Sequence, residues 1–320
     1  MTPRVSVCVP AYQSAPHLQE VLDAVYAQDF EDFELVVVDD GSRDDTPQIL
    51  AAQTDPRLRF TRRDVNLGQE ATVAETVARA RAPLVKFLDA DDILHRDCLS
   101  TMVAAMDAHP GATLGFSRRE VMVEDSVDPG FAAIWMAEHG DLQAAAGELA
   151  ECNDGRELLR RYLDVLLPVN WIAEPAGAIA RRADLLAVGG YNRRVHQNND
   201  MDLWLRLMAR GDVVFIDRAL FDYRLAITGV TGASTGRERQ WLDLLWTVEG
   251  LAEIDGFPEP EAVRAARRRL LRRCLRHFSM TARRQPAAAP ERIVDLAAYW
   301  RYRAARAIGR GGSLYQPISL

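Results

Sequence analysis

Residues 84–92 read Leu84-Val85-Lys86-Phe87-Leu88-Asp89-Ala90-Asp91-Asp92. The first half is a short apolar run of the kind that forms a strand buried on both faces of a parallel sheet. Three carboxylates follow at once. Carboxylates crowded at a strand end repel one another and raise each other's pKa unless a cation or a set of donors sits among them. Asp89 and Asp91 alternate along an extended chain, leave the sheet on the same side, and can converge on one divalent ion. A plainer reading makes this a solvated turn in which Asp92 caps a helix over residues 95–109. A second acidic strand end weighs against it, because Phe33-Glu34-Leu35-Val36-Val37-Val38 runs into Asp39-Asp40-Gly41-Ser42. In an open parallel sheet, ligands bind beyond the carboxyl ends of the strands where the strand order reverses. Two such strands place Asp40 and Asp91 around one ligand.

Working outward, a strand over 4–10 leads through Ala11-Tyr12-Gln13-Ser14 to a helix over 16–28, with Leu18, Val21, Leu22 and Val25 at helical spacing. Asp44 or Asp45 begins a helix over 47–53, a strand covers 58–61, and Asn66-Leu67-Gly68 opens a helix over 69–80. This alternation predicts an α/β fold with a doubly wound, mostly parallel sheet and right-handed crossovers. After a strand at 113–117 the cadence stops, and residues 118–153 read as an irregular insertion with a helix over 141–150. Such insertions beside an active-site edge often carry specificity. A helix over 155–166, the turn Pro168-Val169-Asn170-Trp171, a strand at 176–180 and a short helix ending in Gly189-Gly190-Tyr191 follow. Next comes a second polar cluster, Asn198-Asn199-Asp200-Met201-Asp202, at the start of a helix, where carboxylates favour the positive end of the dipole. Asp202 and Arg206, four apart, suit a structural salt bridge. Strands at 213–216 and 220–225 precede helices over 237–254, 259–284 and 290–309.

The chain has 320 residues, 48% apolar and 27% charged, which is ordinary for a globular protein. No run approaches the roughly 20 apolar residues of a membrane span, and the first strand begins too early for a signal peptide, so a cytoplasmic location is expected. Cys8, Cys98, Cys152 and Cys274 are scattered without ligand spacing, which predicts free thiols and no zinc site. Lys86 is the only lysine. The net charge of −7 hides an asymmetry: residues 263–310 carry fourteen arginines against Glu291 and Asp295. The middle C-terminal helix sets Leu270, Leu271, Leu275 and Phe278 among those arginines. That pattern suits packing on the body of the protein, a homodimer, or peripheral contact with an anionic membrane at its inner face. A nucleic-acid partner is not expected.

Four motifs in order resemble the family 2 glycosyltransferases of the GT-A fold: Val5-Ser6-Val7-Cys8-Val9-Pro10-Ala11-Tyr12-Gln13; Val36-Val37-Val38-Asp39-Asp40-Gly41-Ser42 with Asp45-Thr46; Phe87-Leu88-Asp89-Ala90-Asp91-Asp92; and Asn199-Asp200 with Arg206. The resemblance spans residues 4–225 and implies a GT-A domain over 1–226. Within it, 1–117 would be a Rossmann-like nucleotide-sugar half and 118–226 an acceptor half, followed by a helical, arginine-rich extension over 227–320. It implies inverting transfer of one sugar from a nucleotide-diphosphate sugar, UDP first and dTDP second. The acceptor would be a hydroxyl or amine of a small molecule, natural product or envelope glycan.

In that scheme Asp40 holds the nucleobase edge, and Pro10, Ala11 and Tyr12 lie along the nucleoside. Asp89-Ala90-Asp91 is the DXD motif, with Asp91 on a Mn²⁺ or Mg²⁺ ion and Asp89 on the ribose and beside the metal. Asp200 is the general base, with Trp171 and Asn199 on the acceptor side. The chemistry agrees: a leaving diphosphate calls for a cation held by oxygen ligands, and an acceptor hydroxyl must lose its proton to a carboxylate as it attacks. Three positions depart from the family pattern. Gln69-Glu70-Ala71-Thr72-Val73-Ala74-Glu75 stands where arginine and asparagine are usual, Asn199 where glutamate is usual, and Ala226 follows Tyr223-Arg224-Leu225 where a histidine is usual. Asp89-Ala90-Asp91-Asp92 also fits a haloacid-dehalogenase-like phosphohydrolase, but that motif belongs on a first strand with a lysine downstream, and none follows here. A nucleotidyltransferase lacks its glycine-rich loop here. A non-catalytic nucleotide-sugar-binding or scaffold protein is the remaining alternative.

Overall fold

Valine-rich runs with no polar face become the centre of the sheet. In the computed structural model, which describes residues 2–166, 170–192, 194, 195, 197–226, 237–254, 260–284, 289–308, 313–315 and 318, four strands lie parallel. They are β1 (Val5–Ala11), β2 (Phe33–Asp39), β3 (Leu58–Arg62) and β4 (Leu84–Phe87), in the order β3-β2-β1-β4. Val5 stands opposite both Phe33 and Leu84. The intervening helices α1 (Leu18–Tyr26), α2 (Thr46–Ala51) and α3 (Gln69–Arg79) take their predicted places, and α1 buries the expected stripe of Leu18, Val21, Leu22 and Val25. Strand order reverses between β1 and β4, so the carboxyl ends of β1, β2 and β4 border one crevice.

Beyond β4 the sheet is mixed. Its remaining strands are β5 (Ile93–Leu94), β6 (Ala112–Val123), β7 (Cys152–Asn153), β8 (Ala178–Arg181) and β9 (Asp212–Leu225). β8 runs antiparallel to β4 and β6, β6 and β9 are parallel, and β5 and β7 lie antiparallel on β9. The uninterrupted parallel run therefore belongs to the first half, and in the second half, among the described residues, only the β6–β9 pairing is parallel. The strands expected at 213–216 and 220–225 are one strand, β9, and β6 continues to Val123. Register shifts between Ser117 and Glu120 take up the charged pair Asp217-Arg218, whose polarity breaks the apolar pattern without ending the strand.

Asp92 is not a helix cap. β5 follows it, and the next helix, α4 (Cys98–Ala108), starts after Asp97. The helix expected at 141–150 is also displaced, since those residues hold only a 3₁₀ turn at Leu142–Ala145. The helix of that region is α5 (Pro129–His139), where the Asp128 carboxylate accepts the Phe131 N–H at 2.8 Å and Pro129 sits in the first turn. Then follow α6 (Gly155–Val165), α7 (Arg182–Val188), α8 (Asn199–Met208), α9 (Arg237–Leu251), α10 (Pro260–Arg284) and α11 (Ala289–Ala307), within a few residues of expectation. Pro168 and Val169, the Phe278 side chain and the break at Pro286-Ala287-Ala288 lie outside the described residues.

The sheet has a core on each face. Val5, Val7 and Val9 pack with Leu18 and Leu22 of α1 and Leu99 and Met102 of α4. Cys8, Val36 and Phe87 pack on the other side with α3, α6 and α8, and the same cluster takes in Leu245, Trp246, Leu270 and Tyr299 of the C-terminal helices. Arg264, Arg268, Arg272 and Arg276 lie exposed on the far side of α10. All four cysteines are free thiols. No helix among the described residues is long and apolar enough to cross a membrane.

Candidate active site

The loops after β1 and β2 are stitched together by side-chain bonds to backbone. Gln13, at φ 52°, accepts the Arg43 and Asp44 N–H groups on its side-chain oxygen and donates its own N–H to Ser42 Oγ at 2.9 Å. Ser14 N–H reaches Thr46 Oγ1, also at 2.9 Å. This presents Pro10, Ala11 and Tyr12 along one wall of a cleft of about 650 Å³, with Tyr12 half exposed. Asp40 forms the floor beside them. Its carboxylate accepts the Leu67 and Gly68 N–H groups and the Arg63 guanidinium, each at 2.9 Å. Burial pushes its pKa up, but Leu67, Arg63 and Gly68 together hold it below the usual carboxylate value. Gly41, at φ 74°, lets the backbone turn here within 3.0 Å of Val65, measured from where a Cβ would stand. The cation against Asp40 thus comes from Arg63, just after β3, and not from α3, whose Gln69 and Thr72 line the cleft.

Asp89, Asp91 and Asp92 all line this cleft. Burial, then Asp91, Asp200 and Glu174, push the Asp89 carboxyl up to about 8. Burial also raises Asp91, against His17 and Arg224, and raises Asp92 well above its ordinary value, with Asp89 and Asp91 adding to the effect. Asp92 accepts the Arg224 N–H at 2.9 Å on one oxygen; the other is buried and has no partner. Below them Lys86, fully buried, donates to the Phe87, Ala176 and Ala178 carbonyls. Arg224 is the only arginine or lysine, and His17 the only histidine, lining the cleft among the described residues. Arg224 is held by the Asp91 carbonyl at 2.8 Å and Glu20 at 2.6 Å, and His17 by Glu124 at 3.2 Å. An orphaned buried oxygen in a group of crowded carboxylates with few cations fits a divalent ion held by oxygen.

Asp200 faces this group from the first turn of α8. It accepts from Asn170 Nδ2 at 2.7 Å and from the Met201 N–H at 2.6 Å. Burial, with Glu174 adding to it, pushes its carboxyl up to about 7. Asp202 plays no part in the cleft. It forms a fully buried ion pair with Arg206 at 3.0 Å, as the four-residue spacing predicts. Asn199 lines the cleft, but Trp171 does not: it is buried and packs on Tyr162, with ring centroids 6.0 Å apart. Its neighbour Asn170 is the residue of that turn that reaches Asp200. The cleft therefore gathers Pro10, Ala11, Tyr12, Asp40, Asp89, Asp91, Asn199 and Asp200 and leaves Trp171 out.

Glu174 is a cleft residue that sequence reasoning missed. It is paired with the buried Arg119, and its second oxygen is buried without a partner. The signal was an isolated acid inside the apolar run Trp171-Ile172-Ala173-Glu174-Pro175-Ala176. Ala226 also lines the cleft, so the departure noted there leaves that wall without an imidazole.

Residues 6–144 match the family model described as glycosyl transferase family 2. An uncharacterized protein of Mycobacterium tuberculosis (strain CDC 1551 / Oshkosh) is 30% identical over 268 residues, which is 82% of this chain and 80% of that protein. The poly(ribitol-phosphate) beta-N-acetylglucosaminyltransferase TarS of Staphylococcus aureus (strain Mu50 / ATCC 700699) is 33% identical over 110 residues, 33% of this chain and 19% of TarS. The crystal structure of S. aureus TarS 1–349 with UDP-GlcNAc superposes with a TM-score of 0.63 at 19% identity, covering 88% of this chain and 74% of that one. The mannosyltransferase PcManGT of Pyrobaculum calidifontis, in complex with GDP-Man and Mn²⁺, superposes with a TM-score of 0.56 at 22% identity, covering 99% and 82%. The chain therefore belongs to glycosyl transferase family 2 and is a glycosyltransferase of the GT-A fold.

Proposed function

We propose that this enzyme moves one sugar, with inversion, from a nucleotide-diphosphate sugar to an acceptor hydroxyl or amine. The donor nucleotide is UDP first and dTDP next. The observation that carries the reading is the placing of Asp200 in the same cleft as Asp89 and Asp91, at the point where the strand order reverses. That TarS is seen with UDP-GlcNAc supports UDP, and PcManGT with GDP-Man and Mn²⁺ supports a divalent ion and makes GDP a necessary control.

Asp91, with Asp89, would hold Mn²⁺ or Mg²⁺. The ion, when bound, offsets charge on the leaving diphosphate. Asp40 and the wall from Pro10 to Tyr12 hold the nucleoside. Asp200 takes the proton of the acceptor hydroxyl as its oxygen bonds to the anomeric carbon and the bond to the diphosphate oxygen breaks. Its hydrogen bonds to Asn170 and Met201 fix the carboxylate for that transfer. Asn199 stands beside it on the acceptor side.

Calorimetric titration with UDP, dTDP and GDP, each with Mn²⁺ and with EDTA, tests the reading. One nucleotide should bind with metal and lose that affinity in EDTA. Asp91→Ala should abolish the metal-dependent part. Asp200→Asn should bind donor normally and stop transfer; transfer at the ordinary rate would remove Asp200 from its role. No binding of any nucleotide would leave the scaffold reading in its place.

A further inference from the structure

Helix α5 is apolar almost all round, from Phe131 to Met136, yet nearly all of it faces solvent. Phe131 is 47% exposed, Ile134 64% and Met136 40%, and only Trp135 is buried. A helix of this composition is normally buried, and no described residue covers it. It is joined directly to the cleft. The Trp135 ring stacks on Tyr223, a cleft residue, with centroids 5.6 Å apart and planes 2° from parallel. Leu225 shares a small cluster with Val127 and Trp135 and precedes Ala226, which lines the cleft.

Arg119 locks that junction. Its guanidinium lies 5.1 Å from the Trp135 ring and 4.6 Å from the Tyr223 ring, and it pairs with Glu174. Glu174 is thereby fixed in the cleft with one buried oxygen that has no partner. A buried acceptor atom left unpaired in the resting protein is a place for a ligand's donor group.

We infer that the acceptor is an uncharged amphiphile, whose polar head donates a hydroxyl to Glu174 and whose apolar body lies along Phe131 and Ile134 of α5. The inference rests on the transferase reading and names its acceptor class. Charge decides between an amphiphile and an anionic bilayer. No arginine or lysine occurs between Glu124 and Glu148, and Asp125 and Asp128 are exposed beside α5, with Glu138 next to His139 and Asp141 paired with Arg118. An anionic surface is repelled from this face.

Hexyl, octyl and decyl β-glucosides, below their micelle-forming concentrations and in the presence of UDP and Mn²⁺, are the probes, with binding read by calorimetry. Affinity should rise about twofold per added methylene, half the factor for complete burial, because α5 covers one side of the chain. Phe131→Gln with Ile134→Gln should flatten that series. Glu174→Gln should weaken all three ligands alike, by about tenfold or more, as expected for loss of a charged acceptor. A flat series in the unaltered protein, binding only once micelles form, or a series that either variant leaves untouched overturns the inference. UDP titration of each protein keeps the two readings apart. UDP binding with a flat series removes only the amphiphile, whereas an unaltered protein that binds none of UDP, dTDP and GDP with Mn²⁺ removes the proposed transfer reaction itself.

Discussion

Asp200, its carboxyl pushed up to about 7 chiefly by burial, is half ionised near neutrality. A general base works only when ionised, so kcat/KM should fall about tenfold per pH unit on the acid side of that value. Glu174 contributes to the rise, so Glu174→Gln should move the acid limb to lower pH. A pH–rate profile of both proteins checks this, and a limb that stays put would assign it to another group. Asp40, Asp89 and Asp91 were legible as cleft candidates because acids directly after buried strands have few structural reasons to be there, and Asp200 because the helix dipole accounts for one carboxylate of its cluster without needing two. Glu174 was not, because the arginine that holds it lies far off in sequence on β6. Trp171 was misplaced because two neighbours in an irregular turn point to different surroundings. The core took the indole, and the cleft took Asn170.

At the scale of elements, α8 is held from behind by one side chain. Arg206, with no exposed surface, donates to Asp202 at 3.0 Å and to the carbonyls of Val188, Gly189 and Gly190, and the Tyr315 ring covers it at 4.0 Å. Arg206→Met should cost about 3–5 kcal/mol in urea unfolding, because it leaves Asp202 buried and unpaired. Asp202→Asn in the same chain should restore part of that loss. If the double variant were as unstable as the single one, the carbonyl contacts would be the larger share. The parallel half of the sheet was legible because strands buried on both faces carry an unbroken apolar signal. The region from 118 to 153 was not, because α5 is apolar on every side and shows no helical stripe, and neither was the continuity of β9, which Asp217-Arg218 interrupts in the sequence.

For the whole molecule, the carboxylate cluster sets how stability depends on pH. Asp89 at about 8 and Asp200 at about 7 lie above their unfolded values, and Asp91 and Asp92 are raised as well. Their contribution is complete below about pH 4 and is lost as pH rises through the folded values, so these groups should make the metal-free protein less stable from about pH 5 to about pH 8. Mn²⁺, binding the folded form alone, should raise Tm most at the alkaline end. Thermal scans in EDTA and in Mn²⁺ test both signs; a Tm in EDTA that climbs over that window would show that other groups dominate. The extension is equally a matter of the whole, since Leu245, Trp246, Leu270 and Tyr299 share the core behind α8. Residues 1–226 alone should lack a cooperative thermal transition. Finally, the only lysine is Lys86, beneath the carboxylates and without exposed surface. An amine-reactive dye will therefore find no lysine to acylate on the folded protein, and each lysine adduct that forms will count one opening of the central sheet.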